Sequence, residues 1–433
     1  MTPQSSFMVL AAIHPPREAE LRALLASMNF APGRVNPNNP LVPFAKFDNL
    51  HFARLFITGD KTTGDIRAYG LEPGPYPLYL AFLGDIDGDE NAFLDKLAAV
   101  APDGLRKIFA CCEGFDAGAN LLRWMKHHRK PSIANYVNTR GRTVSRIREE
   151  AALYAAIESQ LNKDPSLREK SSPMEIHTKL AHFIDAELKS GRLTLSPESP
   201  TPPGWWLRNL LNLIGVPLIV LLLSPLLLVI APFYLIRLRM LETSDPEICP
   251  AVDQAYAEEL SSAEDHDVTN QFSAMGSVKP GLVRLMTIAG VLSTVDYAAR
   301  HIVRPGRLGR IRTIHFARWL FIDGTKRMIF CSNYDGGVES YMDDFINKTG
   351  FGLNASFSSG VGYPTTNWLL LDGCGDERKF DEFNRRHTIP TQVWYKAYPG
   401  LTAIDLERNG LIRKGLEAPS LSDHEASEWV ALL

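Results

Sequence analysis

The sequence predicts an α+β protein in which one β-α-β-β-α-β unit occurs twice. The two copies pack as a pseudo-dimer, with a membrane-inserted helical segment between them. Three observations predict this. The word HFAR stands in LHFARLFI (Leu50–Ile57) and again in IHFARWLFI (Ile314–Ile322). Further matches follow each copy in the same order. Between the copies lie 24 residues, 213–236, with no charge among them.

The matches beyond HFAR are spread along each copy. Asp87-Gly88 answers Asp335-Gly336, Phe93-Leu94-Asp95 answers Tyr341-Met342-Asp343, and Gly114-Phe115 answers Gly362-Tyr363. Then HHRKPSIANYVNTRGRT aligns with RRHTIPTQVWYKAYPGLT. His128 pairs with His387, Pro131 with Pro390, Tyr136 with Tyr395, Gly141 with Gly400 and Thr143 with Thr402, all at one offset. Ordered matches at a shared offset mark an internal duplication.

Within the first copy, FMVLAAI is a short apolar run and reads as a strand. EAELRALLASM has helical spacing. LHFARLFI and PLYLAFLG are strands rich in aromatic and branched residues. ENAFLDKLAAV is a helix and LRKIFACCEGF a further strand. This is the ferredoxin-like order. The second copy reads LVRLMTIAGV strand, VDYAARHI helix, TIHFARWLFI strand, RMIFCSN strand, GVESYMDDFINK helix and LNASFSSGV strand. Each copy then adds a helix, a strand (SIANYV or TQVWYK) and a closing helix. Such units bury their open sheet faces against each other. The expected divisions are 1–165 for the first repeat, 166–204 for an amphipathic helix and Pro-rich linker, and 205–240 for the membrane segment. A connector over 241–278, acidic and with a short helix, the second repeat over 279–415 and a frayed tail over 416–433 complete the chain.

A helix needs about 20 residues to cross the hydrocarbon core. Seventeen of the 24 residues in 213–236 are Leu, Ile, Val or Phe. Each favours insertion by roughly 0.3–0.6 kcal/mol. Trp205, Trp206 and Tyr234 sit where interfacial anchors belong. Arg208 precedes the run and Arg237 and Arg239 follow it, so charge sets no direction. Pro217, Pro225 and Pro232 each remove a helix hydrogen bond. These features favour a re-entrant hairpin or a shallow, kinked insertion with both ends on one face. A single span would part the two copies.

Composition sets limits. The chain of 433 residues is 45% hydrophobic and 22% charged, which excludes a wholly disordered chain. Its net charge of −3 gives no basic footprint for nucleic acid. Cys111, Cys112, Cys249, Cys331 and Cys374 form no CxxC pair, which suits a reducing, cytoplasm-facing setting. Cys111 and Cys112 are expected on a strand, facing opposite ways. HExxH, Walker A, GxSxG and a strand-bound GxGxxG are missing from the sequence, so hydrolase, kinase and nicotinamide chemistry have no support.

Alternation along a strand puts His315 and Arg318 on opposite faces, so one of them enters the inter-sheet space. A buried Arg needs a carboxylate or an anionic ligand. Asp335, ending the neighbouring strand, is the expected partner. Two alternatives stand: a structural Arg–Asp pair repeated in both halves, or an Arg gripping an anion with His315 or His387 as base or metal ligand. Asn333, Tyr363, Trp394 and Tyr398 make the second copy the richer one. Arg300, Arg304, Arg307, Arg310 and Arg312 crowd one loop. That loop is either solvated or in contact with anionic headgroups, with Arg304, Arg307, Arg310, Trp205 and Trp206 as the lipid-binding set. Asp323-Gly324 is a hairpin turn signal.

Two tandem units of this kind resemble the dimeric α+β-barrel superfamily, over residues 7–160 and 280–412. Its haem branch comprises the chlorite dismutases and dye-decolorizing peroxidases. There a histidine of the second unit ligates the iron, and a distal Arg, with Asp in the peroxidases, handles peroxide. The resemblance implies haem, with His301, His315 or His387 as its ligand. It implies Arg318, Asp335, Asn333 and His315 as the catalytic set, His301, His387 and Arg284 around the cofactor, and His387 on the metal. The peroxidase GxxDG motif is broken here, because Leu320 stands where its first Gly would be.

Two functions follow. One is a membrane-attached, peroxidase-like oxidoreductase, haem-dependent, acting on a lipid-soluble or lipid-derived substrate. The other is a non-enzymatic lipid-associated module binding a ligand or partner at the bilayer surface. Either has membrane lipid and a small hydrophobic or anionic ligand as partners, no nucleic acid, a globular part facing the cytoplasm, and room for a homo-oligomer.

Overall fold

The computed structural model describes residues 1–433 apart from Asp60, Ala117, Arg304, Pro305 and the side chain of Lys170. Strand β1 (Gln4–Ala12) leads to helix α1 (Glu18–Ser27) and a small hairpin, β2 (Asn29–Ala31) and β3 (Arg34–Val35). The first HFAR lies in β4 (Leu50–Ile57), followed by α2 (Thr63–Ala68) and β5 (Tyr79–Asp87). Then come α3 (Glu90–Val100), α4 (Pro102–Phe109), α5 (Leu121–His127), β6 (Ala134–Val137) and α6 (Val144–Lys163). Helices α7 (Ser166–Lys170), α8 (Pro173–Lys189), α9 (Pro203–Ser244) and α10 (Gln254–Ala263) link the halves. The second half runs β7 (Thr269–Ser277), α11 (Leu282–His301), β8 (Ile314–Ile322), β9 (Arg327–Asp335) and α12 (Val338–Phe357). A hairpin of β10 (Thr366–Asn367) and β11 (Leu371–Asp372) follows, then α13 (Glu377–His387), β12 (Thr391–Lys396), α14 (Ala403–Glu417) and α15 (Asp423–Val430).

The fold is α+β, with two four-stranded antiparallel sheets ordered β1-β5-β4-β12 and β6-β8-β9-β7. Each sheet thus takes its fourth strand from the other half. Strand β12 pairs with β4, and β6 pairs with β8. Between the sheets, Met8, Leu10, Phe56 and Leu83 meet Met275, Leu320, Ile322 and Ile329. The opposite faces pack on helices. Asp323 and Gly324, at φ 53° and 63°, make the expected turn between β8 and β9.

Several expected elements are corrected. LRKIFACCEGF is not a strand: Leu105, Ile108, Phe109 and Cys112 repeat at three and four residues, and α4 with the turn beyond it uses that period. Cys111 and Cys112 therefore lie past a helix end, both buried. LVRLMTIAGV and VDYAARHI are one 20-residue helix, α11, and LNASFSSGV continues α12 for most of its length. The true first strand of the second half is β7, inside the stretch expected as acidic connector; the short helix expected there is α10. Among the described residues no regular strand pairs the outer edges of β1 and β7. Irregular segments supply their hydrogen bonds instead, as in Leu10 N to His128 O (3.0 Å) and Ile389 N to Ser273 O (2.7 Å). The tail is not frayed. Ala426 is buried, Trp429 is buried with Ile176 and Leu180 of α8, and Trp429 Nε1 donates to Ile412 O at 2.9 Å.

Helices α9 and α11 are long and apolar enough to cross a membrane by length and composition. Helix α9 is one continuous helix of 42 residues, about 63 Å long at 1.5 Å per residue, and not a hairpin. Hydroxyls explain how it tolerates two of its three internal prolines. Pro217 leaves the carbonyl of Leu213 without its helical donor, and Tyr297 Oη of α11 donates to it at 3.0 Å. Pro225 does the same to Leu221, and Ser224 Oγ donates there at 2.7 Å. Such replacement keeps a helix intact where water is scarce. Further bonds tie α9 lengthwise to α11: Tyr234 Oη donates to Val283 O (3.1 Å), and His301 Nε2 meets Asn212 Oδ1 (2.8 Å). Both ends are also held. Before α9, the Met1 amine donates to Thr201 Oγ1 at 2.9 Å; after it, Asp245 takes Lys279 at 2.8 Å and also Arg284.

Candidate functional site

The repeated word sits where the two sheets face each other. In both copies a β-bulge falls at the histidine, between Leu50 and Phe52 and between Ile314 and Phe316. A bulge inserts one residue and re-aims its side chain. Both histidines thereby reach an aspartate that ends the next strand. His51 Nε2 donates to Asp87 Oδ1 at 2.9 Å and His315 Nε2 to Asp335 Oδ1 at 2.7 Å. The second oxygen of each aspartate accepts a helix N-terminal amide, Val144 N of α6 at 2.9 Å and Ala403 N of α14 at 2.7 Å. These contacts use the positive end of each helix to hold the carboxylate. They also fasten the helix that follows each exchanged strand.

The arginines cross to the opposite sheet. Arg318 donates to Phe7 O at 3.1 Å and to Asp85 Oδ1 of the first half. Arg54 donates to Phe272 O (2.8 Å), Ser273 Oγ (2.9 Å), Ser332 O (2.7 Å) and Asn333 Oδ1 of the second half. Asn333 Nδ2 donates to Asp85 Oδ2 at 2.8 Å, closing the chain Arg54–Asn333–Asp85–Arg318. Asp85 and Asn333 are equivalent positions, opposite Phe52 and Phe316. The expected Arg318–Asp335 pair is therefore corrected, because the bulge gives Asp335 to His315 and leaves Arg318 to Asp85. The site is also shared between the halves and not confined to the second.

This polar set is closed. Arg54 is 1% exposed, Arg318 and Asp85 2% each. Among the described residues Arg54 has no carboxylate of its own. Burial draws its guanidinium down to about 10, and the Trp394 ring lies 5.1 Å from it. Tyr398 Oη donates to His51 Nδ1 at 3.0 Å. Burial, reinforced by Asp87, Asp85 and Asp335, raises the Tyr398 phenol well above its usual range and keeps it a donor.

The other expected site residues lie apart. His387 Nδ1 donates to Phe383 O at 2.8 Å, and the residue lines an apolar cavity of about 50 Å³ between β7, β9 and helices α11 to α13. His301 is at the far end of α11 beside Asn212 and Tyr297. Arg284 is buried against Asp245, where it anchors the end of α9. Burial lowers the neighbouring Lys279 ammonium, opposed by Asp245. Arg307 and Arg310 are exposed; Arg304 lies outside the described residues. Trp206 is exposed and Trp205 half-buried at the start of α9. Sequence reasoning gave His51, Arg54, Asp85 and Asp87 no individual site role, although the repeated word itself pointed to the first two.

A haem would need a pocket of several hundred Å³. The cavity beside His387 is far smaller, and the candidate histidines stand in different surroundings, His301 beside Asn212, His315 against Asp335 and His387 against Phe383, so the residues here do not fit that group. Among the described residues no cluster of three or more His, Cys, Asp or Glu could hold a metal ion. Burial pushes the Cys112 thiol up to about 12 and raises Cys331 too. A thiol raised so far stays protonated at pH 8 and reacts slowly. Thiol titration of the native protein at pH 8 is expected to show only Cys249 reacting promptly, the four buried cysteines reacting after unfolding. Prompt reaction of several thiols would contradict this packing. No protein-family model, curated protein or solved structure matches the chain.

Proposed function

We propose that the chain is a tandem pair of ferredoxin-like units, interlocked as a pseudo-dimer, that serves as a monotopic, lipid-associated binding module. The matching element order of the halves, with bulge, histidine and helix-holding aspartate at equivalent places, supports the duplication. The observation that carries the membrane reading is α9. Its most apolar stretch is wholly unburied in the body, yet both ends and one side are tied to that body. Strands β6 and β12 are exchanged between sheets, so the halves belong on one side of a membrane. A helix held in this way lies along the bilayer face with its free side in lipid. Unpaired cysteines favour the cytoplasmic side. The binding-module reading is preferred to the oxidoreductase because the His, Arg and Asp set is consumed in joining the sheets.

The test uses the full chain with a tag at each terminus, expressed in cells and recovered in sealed vesicles. Resistance to carbonate extraction and both tags on one face are expected. Tags on opposite faces, or a protein released by carbonate, would overturn the monotopic reading. A stoichiometric Soret band in protein from haem-replete cells, lost on His387→Ala, would return the oxidoreductase.

A further inference from the structure

The geometry points to a second bilayer-inserting element: the tip of the β10–β11 hairpin, residues 368–371, set in register with the C-terminal end of α9 by Glu242. This rests on the membrane reading of α9.

The tip reads Trp368-Leu369-Leu370-Leu371. Trp368, Leu370 and Leu371 are 52%, 46% and 58% exposed. Four apolar residues in a row are foreign to a water-facing turn, where Gly, Asn and Asp serve. The backbone sharpens the point. Trp368 and Leu369 have φ of 51° and 67°, a left-handed conformation that crowds any L side chain and that glycine or asparagine would adopt more readily. The turn therefore bears unfavourable backbone geometry to present large apolar groups.

Glu242 holds that geometry in place. It lies in the last turns of α9 and is buried. Its carboxylate accepts the successive amides of Trp368 at 3.0 Å and Leu369 at 2.7 Å, a concave pair of donors suited to an anion. Thr366 Oγ1 donates to it at 2.9 Å, and Arg239 pairs with it at 3.2 Å. Hairpin and helix end are thus one rigid piece. Ile236 and Met240 are exposed on the same stretch of α9, Arg237 is exposed between them, and Asp372 stands exposed at the base of the hairpin. Tryptophan beside arginine at the end of a lipid-sized apolar run suits the headgroup boundary. Because the tip continues the surface of α9, the occupant is the bilayer that takes α9. The two contacts together set how the body is tilted on the membrane.

The test places an environment-sensitive NBD label at Leu370→Cys or Leu222→Cys in the full chain carrying Cys249→Ser. Each is bound to phosphatidylcholine–phosphatidylglycerol vesicles with and without doxyl-labelled lipid. A blue shift and doxyl quenching at both positions are expected. Quenching at 222 with an aqueous spectrum at 370 would overturn the hairpin inference and leave the membrane reading standing. An aqueous spectrum at both would remove the membrane reading itself. Adding Glu242→Gln is expected to reduce the quenching at 370 while 222 is unchanged. Equal quenching at 370 with and without that substitution would overturn the role of Glu242.

Discussion

Replacing Arg318 with methionine is expected to destabilise the body by about 3–5 kcal/mol, the cost typical of stranding one partner of a buried ion pair. Among the described residues Asp85 would keep only Asn333 Nδ2 as a side-chain partner, while 2% exposed. The double variant Arg318→Met/Asp85→Leu should recover much of that loss, because a well-packed apolar pair can replace a buried ion pair at little cost. Urea unfolding of detergent-solubilised protein measures both. Arg54 provides the contrast. It meets carbonyls, a hydroxyl and an amide oxygen but no carboxylate of its own, so Arg54→Met leaves only neutral acceptors and should cost less, about 1–3 kcal/mol. If the two arginines rank the other way, the Asp85 pairing is not what pins the sheets together.

The second large effect concerns α9. Leu222 and Leu228 are 71% and 74% exposed on that helix. Substituting both with lysine is expected to weaken flotation with liposomes strongly, the midplane cost of about 2.5–3.5 kcal/mol per lysine being the upper bound for a helix lying in the interface. The urea midpoint of the body should stay within experimental error, because both side chains project away from it. Persistent flotation would move the membrane contact elsewhere on the molecule. A large fall in midpoint would mean that α9 is part of the core.

Much of the frame was legible in the residues. The strands FMVLAAI, LHFARLFI, PLYLAFLG and RMIFCSN carry dense branched and aromatic residues, and local preference agrees with the sheet they join. Short apolar stretches misled where their period went uncounted. LRKIFACCEGF keeps a helical repeat, and TNQFSAMGS, the real strand β7, is too polar to announce itself beside an acidic connector. The hairpin tip at Trp368 and the clasp by Glu242 were invisible for another reason. Their meaning depends on residues more than a hundred positions apart.

By itself the sequence determined the α+β class and an apolar helix of membrane length, because each is written in local pattern. Only the tertiary structure decided which sheet takes SIANYV and TQVWYK, which carboxylate meets Arg318, and that α9 lies along the body instead of turning back. Strand pairing depends on edges that any strand of suitable pattern could fill. The choice among them is made by packing and by buried partners contributed from the other half of the chain.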